Sequence, residues 1–140
     1  MVAPVTLRVV IVDDSVLFQQ AVIACLQPLS FTTLCRFAGS VAAGLSLVAE
    51  QRPAVVLMDL ALPDGDGISA TRRIRDHAPG TTVVMITIQD DEATRREALA
   101  AGARAFVSKA RIGLELGPLL EGFHRDEETR KHARTGASEG

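Results

Sequence analysis

Five short apolar runs divide the chain, and longer segments with helical spacing lie between them. The runs extend over Leu7 to Asp13, Thr32 to Phe37, Ala54 to Asp59, Thr82 to Thr87, and Ala105 to Lys109. The first, third and fourth are almost unbroken Val, Ile, Leu and Met, which is typical of strands covered on both faces. Strict alternation of such strands with helices predicts an α/β fold with a five-stranded parallel sheet.

Capping residues and apolar stripes mark the helical segments. Ser15 is placed to cap the first helix, and Asp90 to cap the fourth, which is predicted over Ala93 to Ala101. The stripes of the first three helices comprise Phe18, Val22, Cys25 and Leu26, then Leu45, Val48 and Ala49, then Ile68, Thr71 and Ile74.

The fifth helix contains a proline. Its stripe runs from Ile112 to Phe123, yet Pro118 lies inside it, and an interior proline costs about 3 kcal/mol. The pattern leaves two alternatives open: a helix kinked at Pro118, or one that starts there. Beyond Phe123 the sequence is polar throughout, which predicts a fraying helix end and then a disordered tail.

The amino-acid composition indicates how many domains to expect and which partners are excluded. The 140 residues, 47% hydrophobic and 23% charged, fit one globular domain. A net charge of -2 gives no electrostatic footprint for nucleic acid, so we expect no nucleic-acid binding by this chain alone. No apolar run is long enough for a membrane span and Met1 to Thr6 lacks signal-peptide features, which predicts a cytoplasmic protein without a membrane partner. Cys25 and Cys35 are expected to be buried free thiols.

Polar residues end four of the five apolar runs. Asp13-Asp14 end the first, Asp59 the third, Thr87 the fourth and Lys109 the fifth. The carboxyl ends of parallel strands form one edge, where ligands of such sheets bind. Three carboxylates placed there raise one another's pKa unless a cation lies between them, so the pattern predicts a divalent metal site.

Other polar residues receive plainer interpretations. Asp64 and Asp66, in the Pro-Asp-Gly-Asp-Gly turn, are expected to be turn formers. His77, His124 and His132 lie in polar segments and are expected to be solvated.

The sequence resembles the receiver domain of two-component response regulators in an ordered set of residues: Asp13-Asp14, Asp59 followed by Leu-Ala-Leu-Pro63 and a Gly-Asp-Gly turn, Thr87 and Lys109. The resemblance implies a doubly wound, flavodoxin-like (βα)5 fold with strand order 2-1-3-4-5. It divides the chain into a lead (1–6), a receiver domain (7–124) and a polar tail or the start of a linker (125–140).

The resemblance also implies a role for each residue of the site. Asp59 would accept a phosphoryl group from a histidine kinase or phosphotransfer protein. Mg²⁺ would be bound by Asp13, Asp14, Asp59 and the backbone carbonyl of Ala61. Lys109 and Thr87 would contact phosphoryl oxygens.

For the readout, the resemblance implies that Thr87 moves toward the phosphoryl group and that Phe106 turns inward behind it. The switched surface would comprise the fourth helix, the fifth strand and the fifth helix. Ala61 and Gln89 occupy positions that tune autodephosphorylation, with no exceptional phosphate lifetime expected. Ala110 stands where many receivers have a cis proline, so the isomer of this bond stays open.

Partners and alternatives complete the sequence-based expectations. The resemblance alone implies that the kinase docks on the first helix, Ser15 to Leu26. The output is either a partner protein or a fused domain, since Lys109-Ala110 resembles receivers joined to helix-turn-helix domains. Homodimerisation through a helix face is compatible with such a protein. The chain would catalyse only its own phosphorylation and dephosphorylation. One alternative is a receiver-fold interaction module that does not cycle phosphate; another is a Mg²⁺-dependent phosphatase, disfavoured because Ala61 replaces its acid/base aspartate.

Overall fold

The computed structural model describes residues 5–139, with side chains described through residue 133. Within these residues five strands form one parallel sheet: β1 (Leu7–Val12), β2 (Thr33–Ala38), β3 (Val55–Asp59), β4 (Thr82–Thr87) and β5 (Ala105–Ser108). Their order in the sheet is β2-β1-β3-β4-β5, which confirms the predicted flavodoxin-like topology.

Five α-helices in the described part of the chain cover the two faces of the sheet. They are α1 (Val16–Leu26), α2 (Val41–Gln51), α3 (Gly67–His77), α4 (Glu92–Ala100) and α5 (Ile112–Glu139). Alternate residues of each central strand enter opposite cores. Val10 and Val12 pack on the side of α2, α3 and α4, whereas Val9 and Ile11 pack on the side of α1 and α5. Residues of both cores are almost fully buried, which explains the nearly unbroken apolar runs.

The first turn of α4 corrects one prediction. Asp91, not Asp90, caps this helix, since its Oδ1 accepts a hydrogen bond from the Thr94 N–H at 2.8 Å. The Thr94 hydroxyl also donates to Asp91 Oδ2, at 2.9 Å. The sequence pattern does not distinguish two adjacent aspartates as caps. Thr94 identifies Asp91 as the cap, because both its N–H and its hydroxyl donate to that carboxylate.

The two turn aspartates do more than favour a turn. Asp66 caps α3 by accepting from the Ser69 N–H at 2.8 Å. Asp64 reaches across to the start of α2, where it accepts from the N–H groups of Val41 and Ala42 at 2.7 and 3.0 Å. The segment between β3 and α3, which contains the two-residue antiparallel strands Ala61–Leu62 and Gly65–Asp66, is therefore fixed to a neighbouring helix.

We expect Asp64→Ala to lower the melting temperature at neutral pH. Hydrogen bonds from Ala42 and Val41 hold the pKa of this carboxyl below its ordinary 3.8, so its stabilising effect is present above that pH and is lost as the pH falls through the lowered value. Melting curves across the acid range should show the two chains converging. Asp76→Ala, an exposed site in the last turn of α3, should give no such loss; equal losses would contradict the assignment.

The course of α5 settles one alternative and corrects another prediction. The helix begins at Ile112 and includes Pro118, so it does not start at the proline. It also continues to Glu139, where a disordered tail was predicted. Side-chain contacts along the helix support this polar part: Arg130 forms an ion pair with Glu127 at 2.7 Å, and His124 Nδ1 lies 3.3 Å from Glu128 Oε1.

His124 is not a solvated side chain as predicted. Its ring stacks on Phe31 with centroids 4.0 Å apart and an interplanar angle of 8°. Its Nε2 lies 3.1 Å from the carbonyl oxygen of Val5. The start of α5's polar part is therefore fastened to the segment that precedes β1.

The two cysteines are half-buried rather than fully buried as expected. Burial raises the pKa of both the Cys25 and Cys35 thiols, which disfavours the reactive thiolate. Every helix within residues 5–139 is too short or too polar to cross a membrane.

Candidate functional site

The register of the sheet brings the predicted polar residues together at one edge. Asp59 is the last residue of β3 and pairs with Ile86, one residue before Thr87. Thr87 in turn pairs with Ser108, one residue before Lys109. Asp13 follows β1, whose Val12 pairs with Met58. Parallel pairing without a shift thus places four strand ends side by side.

Three carboxylates form a cluster at this edge. Asp13, Asp14 and Asp59 each offer one oxygen, and these oxygens lie within 4.8 Å of one another. Asp13 and Asp59 are buried, whereas Asp14 is exposed to solvent. The Ser15 N–H donates to Asp13 Oδ1 at 2.8 Å, and the Lys109 ammonium lies 2.6 Å from Asp13 Oδ2. Three carboxylates whose oxygens lie this close together are a ligand set that fits a hard divalent cation such as Mg²⁺.

Lys109 neutralises part of this charge. Its Nζ lies 2.6 Å from Asp13 Oδ2 and 3.4 Å from Asp59 Oδ2. It also lies over the ring of Phe18, 4.5 Å from the centroid. Burial by itself lowers the pKa of the ammonium, but the contact with Asp13 and the charges of Asp59 and Asp13 outweigh it, so the pKa is raised. Lys109 is therefore a firmly charged group at neutral pH.

Asp59 retains a net electrostatic penalty for ionisation. Burial and the charge of Asp13 raise its pKa above the ordinary 3.8, although Lys109 and the N–H of Ala61, 3.4 Å from Oδ1, act in the opposite direction. One ammonium does not fully compensate the charged carboxylates. An additional cation would remove that penalty, which is the electrostatic argument for metal binding here.

The residues predicted to read and tune the site lie around it. Thr87 is buried, and its Oγ1 accepts from the Gln89 N–H at 2.9 Å. Phe106 is already buried, in the core between the sheet and α2, α3 and α4. Ala61 and Gln89 are exposed. The Lys109–Ala110 bond, left open by the sequence, is trans.

Three residues that sequence reasoning did not single out shape the site. Phe18 provides the ring under Lys109, and its only sequence signal was its place in the α1 stripe. The Ser108 hydroxyl accepts from the Ala110 N–H at 3.3 Å and so orders the turn that carries Lys109. A Cβ added to Gly67 would lie 2.1 Å from the carbonyl oxygen of Asp59, so α3 approaches the end of β3 too closely for a side chain.

We expect Gly67→Ala to lower the free energy of unfolding by about 3 kcal/mol, because the methyl group collides with backbone rather than with a movable side chain. Urea denaturation measures the effect. Gly113→Ala, in α5 with no atom within 4 Å of the added Cβ, is the control and should be neutral or stabilising. An unchanged midpoint for Gly67→Ala would contradict this close approach.

The fold and the carboxylate cluster define a doubly wound α/β protein with three carboxylates at the carboxyl ends of its strands, the edge at which such sheets bind ligands. The family model of the response regulator receiver domain matches residues 9–115. The chain belongs to this family, the receiver domains of two-component response regulators.

Curated relatives agree with this assignment. The chain is 36% identical over 102 residues to regulatory protein AtoC of Escherichia coli, covering 73% of this chain and 22% of that protein. It is 32% identical over 106 residues to the probable transcriptional regulatory protein NarL of Mycobacterium tuberculosis, covering 76% and 49%. The chain thus spans less than half the length of either relative.

A solved structure agrees in shape. The signal receiver domain of the putative response regulator NarL from Mycobacterium tuberculosis superposes with a TM-score of 0.80 at 29% identity, over 87% of this chain and 98% of that one. The similarity in fold therefore extends over most of this chain and nearly all of that structure.

Proposed function

We propose that this chain is a phosphorylation switch in which Asp59 accepts a phosphoryl group from the phosphohistidine of a sensor kinase or phosphotransfer protein. One observation carries the proposal: the buried carboxylates Asp13 and Asp59 share the Lys109 ammonium at 2.6 and 3.4 Å at the carboxyl edge of the sheet. This arrangement presents a nucleophilic carboxylate beside a fixed positive charge.

The transfer requires positioning rather than proton abstraction. An Asp59 carboxylate oxygen attacks phosphorus, the P–N bond to the donor imidazole breaks, and the electron pair returns to that nitrogen. Asp13, Asp14, Asp59 and the carbonyl of Ala61 are the groups that would hold Mg²⁺, which supplies charge neutralisation for the phosphoryl oxygens. Lys109 binds one of those oxygens, and the Thr87 hydroxyl donates to another.

Phosphorylation replaces the single charge of the Asp59 carboxylate by a phosphoryl group that carries nearly two negative charges at the end of β3. The Thr87 hydroxyl, whose oxygen accepts from the Gln89 N–H, then moves toward the phosphoryl group and donates its hydrogen to a phosphoryl oxygen. Movement of Thr87 repacks Phe106 and alters the surface formed by α4, β5 and α5, which is the face read by a partner protein or an output domain. Ala61 and Gln89 leave the acyl phosphate on Asp59 accessible to attacking water, so its lifetime is ordinary.

The remaining expectations extend this proposal. The switch acts in the cytoplasm. Its kinase docks on α1, and a homodimer, where it forms, is held together through a helix face. Its chemistry is limited to its own phosphorylation and dephosphorylation. The alternative, a receiver-fold module that does not cycle phosphate, is disfavoured because Asp13, Asp14, Asp59, Thr87 and Lys109 are all retained.

The test uses the purified chain, acetyl phosphate and Mg²⁺. Intact-mass spectrometry should show one added phosphoryl group that is lost in mild base and absent when EDTA removes the metal. Beryllofluoride with Mg²⁺ should shift amide resonances of the β4–α4 loop and β5. No added mass and no shift at saturating donor would overturn the proposal and leave the non-cycling module.

A further inference from the structure

We propose that Phe18 is a positioning residue that holds the Lys109 ammonium at the phosphoacceptor through the face of its ring. The inference rests on the function proposed above and adds a residue outside the carboxylate, threonine and lysine set. The Lys109 Nζ lies 4.5 Å from the ring centroid, within the distance at which an ammonium is attracted to an aromatic face. Phe18 is buried, so little water weakens this attraction.

Lys109 needs a contact that does not involve carboxylates. Its present partners, Asp13 and Asp59, are the same side chains that would hold a divalent cation. A cation that takes up those oxygens competes with the ammonium for them, because each oxygen has a limited number of lone pairs. A phenyl ring in an anionic pocket is a poor ligand for Mg²⁺, so the contact with Phe18 persists. The ring therefore keeps Lys109 beside Asp59 while its charge becomes available to the phosphoryl group.

The position of Phe18 is set by the same turn that builds the carboxylate cluster. The Phe18 N–H donates to the capping Ser15 Oγ at 3.2 Å. The Ser15 N–H in turn donates to Asp13 Oδ1 at 2.8 Å. The Phe18 side chain also packs into the core on the side of α1 and α5. The backbone of Phe18 is therefore tied to Asp13 through Ser15, and its side chain is held in the core.

The first experiment compares phosphorylation rates by acetyl phosphate at saturating Mg²⁺. Phe18→Leu should be about fivefold slower than the wild-type chain, and Phe18→Tyr within about twofold of it. Pentafluorophenylalanine at position 18 has nearly the same shape with a reversed quadrupole, and it should behave as Leu does. Val22→Ala, one turn further along α1 and fully buried, is the control for lost stability and should keep the wild-type rate.

The second experiment measures the Phe18–Lys109 interaction without metal or donor. Urea denaturation in EDTA of the wild-type, Phe18→Leu, Lys109→Met and doubly substituted chains forms a double-mutant cycle. A favourable coupling corresponding to a few-fold change in the unfolding equilibrium is expected, and Val22→Ala with Lys109→Met should show none.

The outcomes separate the two proposals. If the wild-type chain is phosphorylated but the pentafluoro variant keeps its rate and the cycle shows no coupling, the role of Phe18 is overturned and the phosphorylation switch stands. If the wild-type chain accepts no phosphoryl group, the switch fails and the positioning role fails with it. A slow Phe18→Leu chain with a slow Val22→Ala chain would also overturn the inference, since stability alone would explain both.

Discussion

Asp59→Asn is expected to abolish phosphorylation while raising stability in the absence of Mg²⁺. The amide has no ionised oxygen to attack phosphorus, so no acyl phosphate forms. Burial and the charge of Asp13 raise the pKa of the wild-type carboxyl, which means that ionisation weakens the folded state. A neutral side chain of the same shape removes that penalty, so loss of function and gain of stability should come from one substitution.

The sign of this effect depends on pH and metal. Because the pKa of Asp59 is raised in the folded state, protonation of this carboxyl stabilises the fold. That stabilisation is present in acid and is lost as the pH rises through the folded-state pKa. The advantage of Asp59→Asn should therefore be full near neutral pH and vanish toward the ordinary pKa of 3.8. Saturating Mg²⁺ stabilises the wild-type chain by mass action and should reverse the order of the two chains.

Intact mass after reaction with acetyl phosphate and melting curves with EDTA or Mg²⁺ measure both effects. Asp90→Asn is the matched control, because Asp90 is an exposed carboxylate three residues after Thr87 without a capping role. It should accept the phosphoryl group and melt as the wild-type chain does. Retained phosphorylation of Asp59→Asn would place the acceptor elsewhere.

Lys109→Met is expected to lower the free energy of unfolding in EDTA by about 3 kcal/mol. The substitution leaves the Asp13 carboxylate, whose side chain is 1% exposed, without its cation at 2.6 Å. Mg²⁺ should restore much of the lost stability, since it replaces the missing positive charge. Phosphorylation should remain slow, because the metal does not replace the ammonium contact to the phosphoryl group.

Urea denaturation at several Mg²⁺ concentrations measures this rescue. Arg111→Met provides the control: its ion pair with Glu115 at 2.8 Å involves side chains 63% and 38% exposed, so its loss should cost about 0.5 kcal/mol or less. Adding Asp13→Asn to Lys109→Met should recover stability in EDTA. A Lys109→Met chain as stable as the wild type would mean that the buried pair is not a net source of stability.

The sheet and the convergence of the site residues could be predicted because both follow from the apolar runs and from the polar residues that end them. Apolar runs end in Asp13, Asp59, Thr87 and Lys109, and parallel pairing fixes which ends meet. The runs also predicted strand positions to within one residue at each end, including β4 as observed at Thr82–Thr87. The hydrophobic pattern and the parallel topology are therefore enough to predict the position of any site residue that lies at the end of a strand.

The missed features depend on particular contacts that the pattern of residue types does not specify, some between segments distant in sequence and some between residues a few positions apart. No local signal joins Phe18 to Lys109, or Asp64 to the start of α2. The choice between Asp90 and Asp91 required the hydrogen bond to Thr94. The polar continuation of α5 was missed because its charged residues were interpreted as solvated chain, whereas their spacing supports ion pairs along a helix.

The contact between His124 and the carbonyl of Val5 has a kinetic consequence. It joins residues 119 positions apart, so it closes a loop that contains the whole sheet. Loop-closure entropy makes such a contact unfavourable until the intervening strands have paired. Attachment of the polar part of α5 should therefore be among the last steps of folding and the first to open, and amide hydrogen exchange should be faster there than in the central strands.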